Sequence, residues 1–189
     1  LFTPAIGYAQ VDATTKKPLT AASRFRIASI TKTFTAVMIL QLVEEGKLKL
    51  TDTLDKFFQQ VPNAQKITIL QILSHRSGIP NVRRDQATWK PGEPVTKDEM
   101  LALIVKGAPE FEPDTKNSYS NSGYFLLGLI LEKLTGKPYE EALKERITSK
   151  IGLAFQPRRR HLPVVGLVSC VENGGMPWTC TTCPQARTR

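Results

Sequence analysis

Cysteine is absent from the first 169 residues of this 189-residue chain, and all three, Cys170, Cys180 and Cys183, fall close to its end. Everything before Cys170 therefore depends on no disulfide. Histidine is scarcer still over the whole chain, with only His75 and His161. Cys180 and Cys183 have the spacing of half a zinc site, but only Cys170 and His161 are left to complete it, so no metal is expected. No apolar run is long enough to span a membrane, and no charged start, apolar stretch and cleavage site mark an export leader. The sequence thus predicts no transmembrane segment and leaves any export signal outside this chain. Internal repeats and low-complexity blocks are also lacking. Acidic residues are outnumbered, giving a net charge of +9 and a pI near 9.6, yet the excess is scattered. Residues 1–153 carry 21 basic and 16 acidic side chains, and the sole basic cluster is Arg158-Arg159-Arg160-His161. A solvated surface accounts for that distribution, and no nucleic-acid partner is expected.

What the chain does contain is a nucleophile, an amine and a phenol in two short words. Ser29-Ile30-Thr31-Lys32 is followed ninety residues after Ser29 by Tyr119-Ser120-Asn121. A serine hydroxyl needs a neighbour that takes its proton. With a helix beginning at Ser29, residues three apart share a face, and Lys32 comes within reach of Oγ. The start of that helix also favours negative charge developing at the serine. Ser29 follows the extended-looking Phe25-Arg26-Ile27-Ala28 and precedes Phe34, Val37, Met38 and Leu42 at helical spacing, which places it at a strand-to-helix transition. The plainer alternative is an N-cap serine beside a solvated lysine.

Four longer stretches go further. Phe25-Arg-Ile-Ala-Ser-Ile-Thr-Lys-Thr-Phe-Thr-Ala36, Leu42-Val-Glu-Glu-Gly-Lys-Leu48, Ile72-Leu-Ser-His-Arg-Ser-Gly-Ile-Pro80 and Tyr119-Ser-Asn-Ser-Gly-Tyr-Phe-Leu-Leu-Gly128 closely resemble the β-lactamase-related serine hydrolases. That family groups class C β-lactamases with low-molecular-mass penicillin-binding proteins, D-aminopeptidases and related esterases. The resemblance runs from about residue 7 to about residue 153. It implies an α/β (α+β) β-lactamase/transpeptidase-like fold, with the helical subdomain largely present and the antiparallel sheet incomplete. It also implies that Ser29 is the acylated nucleophile, Lys32 the lysine one turn on, and Tyr119 the general acid/base. Asn121 matches the residue that helps hold the lysine and the substrate amide. A phenol becomes a usable base only where a cation stabilises phenolate, and Lys32 is the available cation. Which of Lys32 and Tyr119 takes the serine proton stays open at this level. The substrate implied is a small molecule or peptide with an amide, β-lactam or ester carbonyl. No metal or organic cofactor is implied, and the compartment implied for the parent protein is periplasmic, secreted or cell-envelope.

A third family element, Lys/His-Thr/Ser/x-Gly on the innermost strand, has no convincing counterpart after Tyr119. Thr135-Gly136-Lys137 and Ser149-Lys150-Ile151-Gly152 read as helix-end punctuation. From Ala154 onward the composition changes, with five arginines, no lysine, one acid (Glu172) and Pro157, Pro163, Pro177 and Pro184. Residues 1–153 are therefore read as a partial domain, and 154–189 as an atypical, irregular tail or a misread frame. Domains of this family are longer than 189 residues. The alternative to an enzyme is a non-catalytic remnant or ligand-binding homologue.

The expected elements are a strand near Ala5–Val11, a loop rich in Thr and Lys, a second strand near Ser23–Ile27, and the nucleophile helix from about Ile30 to Glu45, ended by Gly46. Lys47–Leu50 is read as an extended link, Asp52–Phe58 as a helical turn, and Thr68–Leu73 as a capped helix stopping at Ser77-Gly78-Ile79-Pro80. His75 and Gly78 are read as closing that turn. Arg83 to Pro94 is an irregular excursion in which Trp89 either touches substrate or anchors the loop. Thr96-Lys-Asp-Glu99 is a capping box opening a helix to Lys106. An apolar helix follows Tyr119 and ends at Gly136, and a last helix runs from Pro138 to about Thr148.

Overall fold

The computed structural model describes residues 6–11, 14–20, 23, 27–82, 95–153, 155–157 and 168–170. The chain divides into two compact units, one holding Leu1–Arg24 and the other Phe25–Cys170. In the first, β1 (Tyr8–Val11) pairs antiparallel with β2 (Lys16–Pro18), in a register of Tyr8 with Pro18 and Val11 with Lys16 and with an irregularity between Tyr8 and Gln10. The stretch read as a Thr/Lys loop thus contains a strand. Lysine and proline are poor strand formers, and pairing with β1 outweighs that preference. Of the strand expected near Ser23–Ile27, the described ends Ser23 and Ile27 are not in a strand, and the residues between lie outside the described set.

The second unit is helical. Its elements are α1 (Thr31–Glu44), α2 (Ile69–Leu73), α3 (Lys97–Lys106), α4 (Asn121–Thr135) and α5 (Tyr139–Leu143). Two three-residue strands, β3 (Phe155–Pro157) and β4 (Val168–Cys170), pair antiparallel within the stretch read as an irregular tail. Helix α4 lies at the centre and packs on α1, α2 and α5. Its Phe125, Leu126, Leu127, Ile130 and Leu131 are fully buried, together with Met38, Ile39 and Leu42 of α1 and Ile104 of α3. Each such side chain contributes about 1.5–3 kcal/mol relative to exposure. The outer side of α1 mixes exposed apolar and polar residues, Val37 and Leu40 with Thr33 and Glu44, and Ile30 just before the helix is exposed too.

Local chemistry sets the helix ends. Thr68 with Gln71 and Thr96 with Glu99 form reciprocal capping boxes, each cap contributing about 1 kcal/mol. Glu99 takes the Thr96 backbone N–H, and that bond holds its carboxyl below the ordinary value. Gly136 ends α4 in the left-handed conformation, φ +66°, as expected of a C′ glycine. The last helix departs from expectation. α5 stops at Leu143, and Lys144–Thr148 forms a π turn in which Lys144 O accepts both the N–H and the hydroxyl of Ser149. Arg146 from this turn grips Glu45 at the end of α1 with two hydrogen bonds, 2.7 and 3.2 Å, and holds its carboxyl down at about 2. Lys47–Leu50 is not a strand, and Asp52–Phe58 contains a 3-10 turn at Leu54–Lys56. Residues 83–94, including Trp89, lie outside the described residues.

Candidate active site

Ser29 sits in a 3-10 turn, Ala28–Ile30, that runs directly into α1. The helix proper starts at Thr31, one residue later than expected, and a 3-10 turn nearly eclipses residues three apart and keeps Lys32 beside Ser29. Ala28, immediately before the serine, has φ +44°. A non-glycine residue held there costs about 1–3 kcal/mol and is a feature of functional turns. Ile27 stands at the N-cap of this turn and Ile30 at that of α1, and among the described residues no side chain caps either, so Ser29 is not an N-cap.

The second unit brings the four residues singled out in the sequence together. Ser29 Oγ and Tyr119 Oη are hydrogen-bonded at 2.6 Å. Lys32 Nζ donates to Asn121 Oδ1 at 2.9 Å, lies 3.5 Å from Ser29 Oγ, and sits 4.7 Å from the Tyr119 ring centroid. Ser29 and Tyr119 are exposed, whereas Lys32 and Asn121 are half-buried. The arrangement is thus a solvent-facing hydroxyl pair backed by a cation, which can move a proton off serine while its charge is compensated.

Tyr119 and Asn121 are placed by the start of α4. Ser120 caps that helix, its hydroxyl accepting Gly123 N–H at 3.2 Å. Asn81 supports both neighbours of Ser120. Its Nδ2 donates to Tyr119 O at 3.2 Å, and its Oδ1 accepts Asn121 Nδ2 and N–H at 3.3 and 3.4 Å. Glu110 ties this support to the preceding loop, accepting Asn81 N–H at 3.0 Å and the Ser118 hydroxyl at 2.8 Å. Beneath lie His75 and Tyr124, with Tyr124 Oη donating to Leu73 O at 2.9 Å. Burial and the Lys32 charge push His75 below the ordinary histidine value, and burial together with Tyr119 pushes the Tyr124 phenol up. Sequence reasoning missed Asn81, Glu110 and Tyr124. Asn81 directly follows the Ser77-Gly78-Ile79-Pro80 stop, and that position was the available signal.

Lys150-Ile151-Gly152 forms an exposed turn after the π turn and lies on no strand, in keeping with its reading as punctuation. Among the described residues no cluster of three or more His, Cys, Asp or Glu is arranged to hold a metal. His161, Cys180 and Cys183 lie outside that set. No helix of the described residues is long and apolar enough to cross a membrane.

The profile of the family described as Beta-lactamase matches residues 1–154. The chain belongs to the β-lactamase family. It is 33% identical over 156 residues to penicillin-binding protein 4* of Bacillus subtilis, a match covering 81% of this chain and 34% of that protein. It is 31% identical over 137 residues to the Escherichia coli D-alanyl-D-alanine-carboxypeptidase/endopeptidase AmpH, covering 68% and 35%. Among solved structures, the D-amino acid amidase of Ochrobactrum anthropi SV3 aligns with a TM-score of 0.72 at 33% identity, covering 80% of this chain and 42% of that one. A penicillin-binding protein from Bacillus halodurans aligns with a TM-score of 0.66 at 26% identity. This β-lactamase-family chain therefore has a β-lactamase/transpeptidase-like fold in partial form, and it spans about a third of the length of the curated relatives it matches. The family, the fold class and the partial extent agree with the sequence reading.

Proposed function

We propose that this chain carries the acylating part of a serine hydrolase that attacks an amide, β-lactam or ester carbonyl. The observation behind the reading is the 2.6 Å hydrogen bond between Ser29 Oγ and Tyr119 Oη, with Lys32 Nζ behind both. With Tyr119 as phenolate beside the Lys32 cation, Ser29 Oγ bonds to the carbonyl carbon, the carbonyl electron pair moves onto its oxygen, and the serine proton passes to Tyr119 Oη. The tetrahedral intermediate collapses when Tyr119 returns the proton to the leaving nitrogen or oxygen. That bond breaks, leaving an acyl group on Ser29. Water then repeats the sequence against the acyl carbonyl and frees the acid. Asn121 keeps Lys32 in place and offers its amide to the substrate.

Residues 1–153 are the family portion in this reading, in line with the family match over 1–154. The relatives named for penicillin binding and for D-alanyl-D-alanine carboxypeptidase activity support a small-molecule or peptide substrate and a cell-envelope setting. A non-catalytic role stands as the second reading, because no described strand carries the Lys/His-x-Gly element.

Incubation with a fluorophosphonate followed by intact-mass measurement separates the two. One adduct is expected on the wild-type chain and none on Ser29→Ala; a folded wild-type chain that takes no adduct contradicts the enzyme reading. Tyr119→Phe removes the 2.6 Å partner while keeping the ring, and its labelling rate is expected to fall about 10²–10⁴-fold, the range for a lost general base. A rate within twofold of wild type would assign the proton to Lys32 alone.

A further inference from the structure

His75 takes no step in the acylation above, yet its imidazole lies against the phenol that does. The backbone turns at His75 with φ +60° just after α2. That turn sets the ring between Tyr119, with centroids 4.7 Å apart, and Tyr124, 5.1 Å apart. His75 Nδ1 accepts the Ser120 backbone N–H at 3.3 Å, and His75 O accepts the Ser118 N–H at 2.9 Å. One residue thus holds both chain neighbours of Tyr119 and touches its ring.

Among the described residues, the titratable groups facing the imidazole are Tyr119 from the 118–120 segment, Tyr124 from α4 and Lys32 from α1, whose Nζ lies 4.7 and 5.7 Å from the two phenol rings. The adjacent Arg76 is turned onto Asp114, Nε to Oδ1 2.6 Å. Burial is the main cause that holds His75 low, and Lys32 is the charge that adds to it.

Because an N–H donor occupies Nδ1, the bonded ring is neutral and carries its proton on Nε2. A proton on Nδ1 would set two donors against each other and place a second positive charge near Lys32. We propose that His75 is a positioning residue for Tyr119: the neutral ring holds the phenol on Ser29, and protonation releases the 118–120 segment, so that Ser29 acylation falls in acid. The effect on acylation rests on the reading of Ser29 and Tyr119 as the reacting pair, whereas the release of the segment does not.

Nitrogen NMR of the full chain, titrated from pH 8 to 4, reads the release directly. Nδ1 is expected unprotonated at neutral pH, and the Ser120 amide should shift along the same curve as His75, with a midpoint below the ordinary value of about 6.5. Fluorophosphonate labelling of Ser29 should fall on that curve too. His75→Asn keeps an acceptor and tolerates positive φ, so it should label within about threefold of wild type at neutral pH and lose the histidine limb, whereas His75→Ala should label about tenfold to hundredfold more slowly. If His75→Ala does not fold, the asparagine variant and the wild-type titration decide. A protonated Nδ1 at neutral pH, a Ser120 amide indifferent to His75, or an acid limb that persists in His75→Asn overturns the proposal. A wild-type chain that takes no label sinks the acylation reading, and the NMR titration still decides the role of His75.

Discussion

Lys32→Met is expected to lower the rate of Ser29 acylation by about 10²–10⁴-fold, the range for a lost acid-base group, while leaving the fold intact. Methionine keeps most of the lysine stem, so the half-buried part of the side chain is replaced with little change in volume. What goes is the one cation within reach of Ser29 Oγ among the described residues, at 3.5 Å, together with the 2.9 Å bond to Asn121. Without it the Ser29–Tyr119 pair can still share a hydrogen bond, but no positive charge offsets proton removal. His75 should report the change independently. Lys32 lowers its pKa, so the methionine variant should raise the His75 midpoint toward the ordinary value. Labelling kinetics by mass, with circular dichroism as the fold control, check the first part; the NMR titration checks the second.

Gly78→Ala is expected to cost about 2–5 kcal/mol of stability, combining about 1–2 for a left-handed alanine with about 1–3 for overpacking. Gly78 has φ +70°, and a Cβ there would lie 2.0 Å from the backbone oxygen of Phe111. The obstacle is backbone and cannot rotate away. The strain also falls on the site, because Gly78 O accepts Glu110 N–H at 2.9 Å and Glu110 in turn holds Asn81 and Ser118. Labelling of Ser29 should therefore slow along with the loss of stability. Gly46→Ala supplies the control, since Gly46 has the same φ with nothing within 4 Å of the new Cβ, and its cost should stay near 1 kcal/mol. Urea unfolding of both variants measures the difference; equal midpoints would contradict it.

The parts of this fold legible in the sequence are those whose determinants are neighbours along the chain. The box of Thr96 with Glu99 and the stops at Gly46 and Gly136 satisfy helix ends from within a few residues, and the helices fall where those residues put them. β2 escaped notice because Lys16–Pro18 owes its conformation to pairing with β1 rather than to its own residues. The π turn after Leu143 is equally silent, since Lys144–Thr148 reads as ordinary helix until Ser149 closes it. In the site, Ser29 and Lys32 are linked by spacing alone, whereas Tyr119-Ser120-Asn121 stood out as a separate short word and was joined to them by the family resemblance. Asn81, Glu110 and Tyr124 depend on contacts between segments tens of residues apart, which no local pattern records. His75 was read as closing a turn, and it does; that its ring also meets Tyr119 is a tertiary fact.

The proposed chemistry requires Ser29 Oγ to be the atom acylated, and mapping the adduct tests that most directly. After reaction with a penicillin and trypsin digestion, cleavage at Arg26 and Lys32 yields the peptide Ile27–Lys32, in which Ser29 is the only serine. Fragmentation should place the added mass on Ser29 and should find none in Ser29→Ala. Added mass on Lys32, Thr31 or Tyr119, or an adduct that survives Ser29→Ala, would contradict it.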